Sequence, residues 1–344
     1  MNIIMSTIKS QNDYYNWIDV AKFVGLYLMV LGHGLVSERN TQFIYSFHMP
    51  LFFILSGLLF KNRGLSTSIR KGFRTLIIPY FLLNAIGLLY DVVEKHLVGK
   101  TLSLCDIYDR IGAVLMGIGY NVDNWHPVLS TTWYIYTLFL IQFVCSLSRN
   151  KLWCFMLLPL SIALTLFLSH NSIDLLIPFD SAFLAMPFFL FGILLKNRDV
   201  CLKGVWGGVI IILLFALMIV TDTYQGRVDI NRCEHGRNLI LFYLSGLAGS
   251  MLVIGLCQNI QNISLRKYMS GAMLVIAFNL LFIGYFKLAI SLMHIELTLA
   301  VSLIVAFVIL SIFYPIIIVV SQYMPALIGY RNISKYSIDK KMKL

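Results

Sequence analysis

The sequence predicts an all-α protein, a polytopic transmembrane helical bundle of about ten spans with both termini cytoplasmic. The apolar runs are long enough to cross a hydrocarbon core and do not alternate, which selects helices over barrel strands. The 344 residues are 59% hydrophobic and only 12% charged, with mean hydropathy +0.81, whereas a soluble domain of that length needs a more polar surface. The net charge of +11 gathers in short alternate loops, which marks membrane topology rather than nucleic-acid binding.

In chain order the candidate spans are 17–37, 42–60, 75–91, 131–148, 152–169, 181–196, 204–221, 238–258, 268–286 and 298–321. Lys61, Arg63, Arg70, Lys71 and Arg74 follow the second span; Arg149 and Lys151 follow the fourth. Lys196, Arg198 and Lys203 follow the sixth, Arg266 and Lys267 the eighth, and the tail brings Arg331, Lys335, Lys340, Lys341 and Lys343. Ten spans put all five groups on one side, read as the cytoplasm, so the protein is expected in the cytoplasmic (inner) membrane. The opposite loops are nearly balanced. Residues 91–130 set Asp91, Glu94, Asp106, Asp109 and Asp123 against Lys95, Lys100 and Arg110, and residues 222–237 likewise mix both signs.

Within the longer loop, IGAVLMGIGY (111–120) is too short to span and too glycine-rich for a firm helix; it is expected at the interface or as a re-entrant segment. The polar first sixteen residues carry no signal-peptide pattern, so the first span is expected to persist in the mature protein. Cys105, Cys145, Cys154, Cys201, Cys233 and Cys257 form no CxxC pair. They read as small hydrophobes rather than disulfides or metal ligands, and no metal is expected. With no repeat or soluble segment, residues 1–344 read as a single membrane domain.

Chemistry concentrates in WIDVAKFVGLYLMVLGHGLVSERNTQFIYSFHMPLFFILSGLLF (17–60), two apolar stretches joined by the polar turn Ser37–Asn40. Asp19, Lys22 and His33 lie in the first stretch, His48 and Ser56 in the second, and ionisable groups inside a span point to function. Lys22 and His33 are eleven residues apart, which returns almost to the same helix face with a rise of about 16 Å, roughly half the hydrocarbon core. The two imidazoles fall at similar depth near the outer side; Lys22 and Ser56 fall in the inner third. Plainer roles stand beside these. Asp19 and Lys22 have the spacing of an intrahelical ion pair, and Lys22 can snorkel to inner headgroups. His48 suits an interhelical hydrogen bond, and Trp17 and Trp133 suit an aromatic belt. His126 and His294 are expected to be solvated. Ser56-Gly57 is small enough to admit another helix or a ligand.

The cations of RKGFR (70–74) end where the third helix begins, a good binding place for phosphates. A ligand with phosphates there and a thin arm reaching past Lys22 and Ser56 toward His33 has the shape of coenzyme A. A neutral imidazole at the far end suits a general base for an acceptor hydroxyl. A transporter or flippase relaying protons or anions through His33, His48 and Lys22 is the alternative. It lacks an inverted repeat or matched broken spans.

At these residues the chain resembles the acyltransferase 3 family of integral-membrane O-acyltransferases, in particular its surface-sugar O-acetyltransferases of the enterobacterial common antigen and fucose 4-O-acetylase-like branch. The first-helix motif corresponds to Asp19, Lys22 and His33, and the second to SFHMPLFFILSGLLFK (46–61). The R-x-x-R motif corresponds to Lys71–Arg74, and the fourth-span motif to TTWYIYTLF (131–139) with Trp133. Lys22 and Lys71 stand where the family has Arg, keeping charge but losing bidentate geometry. The resemblance implies acetyl-CoA as donor, a glycan or lipid-linked sugar as acceptor, His33 as base, and Lys71 and Arg74, with Arg70, as the donor's phosphate holders. Asn279, a lone amide in SGAMLVIAFNLL, marks a further candidate polar site.

Overall fold

A computed structural model of the chain describes residues 13–329, apart from 123–124, 148–150, 172, 174, 176, 197–201, 203 and 261. Both termini, Arg149, Arg198, Lys203, Cys201, Asp123 and the tail cations lie outside the described residues, as do the side chains of Lys151 and Cys154. The helices are α1 (Asp13–Gly32), α2 (Glu38–Tyr45), α3 (His48–Leu59), α4 (Leu65–Gly72), α5 (Ile78–Leu97), α6 (Leu104–Met116) and α7 (Trp133–Leu147). There follow α8 (Lys151–His170), α9 (Phe179–Leu195), α10 (Gly204–Gln225), α11 (Leu239–Cys257), α12 (Arg266–Met269), α13 (Ala272–Leu292) and α14 (Leu299–Tyr323).

All ten predicted spans fall on helix. Among the described residues seven helical stretches are long and apolar enough to cross a bilayer by themselves; α1, α8 and α9 occupy the other three predicted positions. Helix α9 is brief at 17 residues, about 26 Å at the usual rise. It is buried along nearly its whole length, so it meets other helices rather than lipid. Large apolar side chains stand exposed on α5, α10, α13 and α14, among them Leu89, Ile212, Leu288 and Phe307, as a lipid-facing surface requires.

Several local expectations are corrected. The second span is broken at Ser46-Phe47 into α2 and α3. The polar turn shrinks, because Ser37 caps α2 by accepting from the Asn40 amide. The third span is helical from Leu65 to Leu97, with a π turn over Phe73–Ile77. RKGFR therefore lies inside a helical stretch rather than before one, and its cations cannot add free first-turn amides to a phosphate site. Finally, α6 is a firm helix: Ser103 and Asp106 form a capping box at its start, and Gly117 ends it at φ 75°, a conformation that favours glycine. Trp17 and Trp133 are buried, not part of a lipid-facing belt, and Cys105 is exposed.

Helix α3 is the hub, packing on α9, α11 and α1. Its contact with α9 is backbone to backbone. A Cβ on Gly57 would stand 1.9 Å from the Phe189 carbonyl oxygen, and one on Gly192 would stand 2.0 Å from that of Ile54. The small residues after Ser56 thus admit another helix. At the same end, Lys196 Nζ donates to the Phe60 carbonyl at 3.0 Å. Gly57→Ala and Gly192→Ala should each lower detergent-solubilised stability by about 1–3 kcal/mol through forced helix separation. Gly208→Ala, where a Cβ meets nothing within 4 Å, should leave the thermal midpoint unchanged or slightly higher. Equal midpoints for all three variants would contradict the α3–α9 contact.

Candidate functional site

Three connecting segments on the face opposite the Lys61–Arg74 cations enclose a cavity of about 620 Å³. They are the α1–α2 turn with Tyr45, the stretches 119–121 and 127–133, and the segment 227–232. Both long, charge-balanced loops of the sequence thus contribute to one chamber. His33, at the end of α1, lines it together with His48, Trp133 and Thr131.

The bonds of His33 define its tautomer. Its Nδ1 lies 2.7 Å from Asn279 Oδ1. The Asn279 amide donates to the Val275 carbonyl at 3.0 Å and the Ile276 carbonyl at 2.7 Å. Carbonyls only accept, so the amide nitrogen must face them and its oxygen must face the ring. His33 therefore carries its proton on Nδ1 and donates it to Asn279, which leaves the Nε2 lone pair free. The Ile276 carbonyl also accepts from Thr131 Oγ1, tying the start of α7 to α13 behind the histidine. Asn279 is fully buried.

His48 takes the structural role. Its Nδ1 donates to the Ile44 carbonyl at 2.9 Å across the break between α2 and α3. Tyr45 stands between the two imidazoles, its ring centroid 6.1 Å from His33 and 4.9 Å from His48. Trp133 lines the chamber and also a recess of about 20 Å³ that leads inward from His33 to Phe52 and Tyr134. Beyond it Ser56 is engaged: Tyr134 donates to the Phe52 carbonyl at 3.4 Å, and Ser56 Oγ donates to Tyr134 at 2.9 Å. This hydroxyl pair lies on the route expected past Ser56.

Lys22 and Asp19 form the intrahelical pair at 3.9 Å, both half-buried or more, and Arg266 acts electrostatically on the same carboxylate. Arg70, Lys71 and Arg74 are exposed. Among the described residues they form no ion pair, while Lys61 and Arg63 lie near enough to repel Lys71. Asp19, Lys22 and the cations at Arg70, Lys71 and Arg74 are thus not among the residues that line the chamber with His33. His126 and His294 are exposed, as expected.

The chamber's outer wall is a braced loop. Asp229 and Glu234 exchange backbone bonds at 2.8 and 2.9 Å, Asn231 donates to the Gly119 carbonyl at 3.1 Å, and Ser181 donates to the Asn231 carbonyl at 3.0 Å. Its charges are matched: Arg227 with Glu234 at 3.3 Å and Arg232 with Asp229 at 3.8 Å. Arg232 also lies 5.6 Å over the Tyr120 ring. Burial pushes the Asp229 carboxyl above the usual range, opposed by its backbone bond from Asn231 and by the two arginines. On the opposite wall Asn84 pins 129–132, accepting from the Leu129 amide at 3.3 Å and donating to Thr132 at 3.1 Å. Sequence reasoning missed Tyr45 and Tyr134, which nothing distinguishes from ordinary aromatics of a membrane protein, and Asn84, whose lone amide within IPYFLLNAIGLLY carried the same signal as Asn279.

The fold and the chamber together define a multi-pass helical membrane protein with a histidine in a polar hollow. The sequence model of the family described as "Acyltransferase domain" matches residues 15–320, and the chain belongs to that family, the acyltransferase 3 proteins, whose members are acyltransferases. Comparison with curated proteins gave no match, and comparison with solved structures gave none.

Nitrogen-15 NMR of labelled His33 should report protonated Nδ1 and bare Nε2 in the native protein. Asn279→Leu should abolish that tautomer preference. It should also cut kcat by about 10²-fold, the lower end of what a positioned general base contributes, with little change in KM for the acyl donor. An unchanged tautomer signal in the variant would remove Asn279 from this role.

Proposed function

We propose that the protein transfers an acetyl group from acetyl-CoA to a hydroxyl of a cell-surface or capsular polysaccharide sugar, in the cytoplasmic membrane of its host. The observation that carries this reading is the bond from His33 Nδ1 to Asn279 Oδ1 at 2.7 Å, made by a histidine that lines a polar chamber. Arg70, Lys71 and Arg74 hold the phosphates of the donor through charge rather than through helix amides. The pantetheine arm runs past Lys22, whose pairing with Asp19 keeps a cation beside it. It reaches His33 by parting the Ser56–Tyr134 hydroxyl pair.

In the reaction His33 Nε2 takes the acceptor's hydroxyl proton as its oxygen attacks the thioester carbonyl carbon. The carbon–sulfur bond then breaks, and the coenzyme A thiolate leaves and takes up a proton. Asn279 positions the ring throughout by accepting the Nδ1 proton bond. The matched charges of Asp229, Arg232, Arg227 and Glu234 suit a hydroxylated, uncharged sugar ring better than a strongly anionic one, and Trp133 and Tyr120 offer flat apolar surface beside them.

His33→Ala should abolish O-acetylation of the host glycan while the protein still accumulates in the membrane. Combined Lys71→Ala and Arg74→Ala should instead raise KM for acetyl-CoA by about tenfold or more, the effect of about 1.4 kcal/mol of lost ground-state binding. Normal glycan acetylation in the His33→Ala strain would refute the catalytic assignment.

A further inference from the structure

A second hollow lies where α5 ends and α6 begins. It measures about 540 Å³, and its lining includes Lys95, Lys100, Asp106, Arg110 and His126. None of these residues lines the chamber around His33. Helix α5 is 20 residues long, so the last turn, which holds Lys95, stands about 30 Å from the first turn beside Arg74.

Three cations thus face one carboxylate, and that carboxylate is engaged. Asp106 Oδ2 accepts from the Ser103 amide at 2.9 Å and from the Ser103 hydroxyl at 2.8 Å. Lys95 and Arg110 act on it electrostatically. Arg110 spends Nη1 on Asp91, while its Nε is buried with no hydrogen-bond partner among the described residues. A buried donor left in that state is costly. Lys95 and Lys100 form no ion pair among the described residues. Asp91 and Glu94 line a different hollow, between α5 and α13. The lining is therefore short of an anion.

The rim around these cations is apolar. Helix α6 folds back along α5: Tyr80, in the first turn of α5, donates to the Val114 carbonyl near the end of α6 at 2.8 Å. Leu104, Tyr108, Ile111 and Leu115 of α6 are exposed, and their spacing places them on one stripe. That stripe runs about 16 Å along the helix. On the other side of the hollow Val93, Leu97 and Val98 are exposed as well. Apolar surface thus reaches the edge of the hollow on both helices. Acyl chains suit such surface and water does not, so lipid headgroups stand level with the cations.

We propose that this hollow binds the phosphate of an anionic phospholipid, whose acyl chains lie along the α6 stripe. Lys95, Lys100 and Arg110 surround the headgroup with charge-assisted donors, and His126 offers a ring N–H to the same oxygens. A zwitterionic lipid brings an ammonium beside its phosphate, which the cations repel. Selectivity for anionic lipid follows from the lining. A soluble anion would satisfy the cations but would leave the stripe without a partner. The site is independent of the chamber, and it stands whether or not acetyl-CoA is the donor.

The test uses the full chain in phosphatidylcholine nanodiscs with a small fraction of phosphatidylglycerol that carries a diazirine near its headgroup. Labelled peptides are identified by mass spectrometry. Labelling should concentrate between Lys95 and Arg110. Unlabelled phosphatidylglycerol should compete for it, whereas added phosphatidylcholine or inorganic phosphate should not. Lys95→Gln combined with Lys100→Gln should cut that labelling about tenfold or more, the effect of two lysines at a lipid surface. Labelling near Lys61 to Arg74 should persist in the same variant, which shows that it remains folded. Lys95→Arg combined with Lys100→Arg should keep the labelling at the hollow. Undiminished labelling in the glutamine variant, or equal competition by phosphatidylcholine, would overturn the proposal. Competition by inorganic phosphate would overturn the lipid assignment and make the hollow a site for a soluble anion.

Discussion

Two helices in this bundle touch through their main chains, and most of the architecture follows from that closeness. Gly57 and Gly192 remove side chains at the crossing of α3 and α9, letting dispersion contacts accumulate where hydrophobic exclusion from water offers nothing between lipid-bathed helices. Held there, α3 presents His48 and Met49 to the chamber and Phe52 to its inward recess. Helix α9 in turn carries Ser181, which anchors the Asn231 loop over the chamber's outer side. One backbone contact thus sets the distance between the floor and the wall of the cavity.

Above that frame lies a chain of satisfied polar groups in which each member restricts the next. The Val275 and Ile276 carbonyls orient an amide, the amide orients an imidazole, and Thr131 occupies the second lone pair of the Ile276 oxygen. In a low-dielectric interior such a chain is costly to leave half-made, so it rigidifies whatever it includes. The rest of the chamber is braced from two independent sides, by Asn84 on α5 and by the turn at Asp229.

Span positions were legible because apolar runs of this length have one solution in a bilayer. His33 was legible because an ionisable group in such a run demands a reason. Asn279 stood out as a lone amide in such a run, yet its partner lies 246 residues away, and no local pattern encodes a contact between the first and thirteenth helices. The start of α6 was written in the sequence as Ser103 and Asp106, but the glycines at 112, 117 and 119 weighed against a helix there; Gly117 in fact terminates it. The π turn at Phe73–Ile77 and the break at Ser46-Phe47 have no comparable marker in the sequence. The Ser56–Tyr134 pair was equally hidden, as a serine and a tyrosine 78 residues apart.

The partner of His33 is an amide and not a carboxylate, and this bears on timing. In a hydrolase triad an acid balances the positive ring while the reaction intermediate lasts. Asn279 offers a dipole but no counter-charge. On the proposed reaction, a protonated His33 is therefore a short-lived species with no anion in contact to harbour it. The proton has reason to pass straight on to the departing sulfur, so the chemistry favours a brief relay over a stored ion pair.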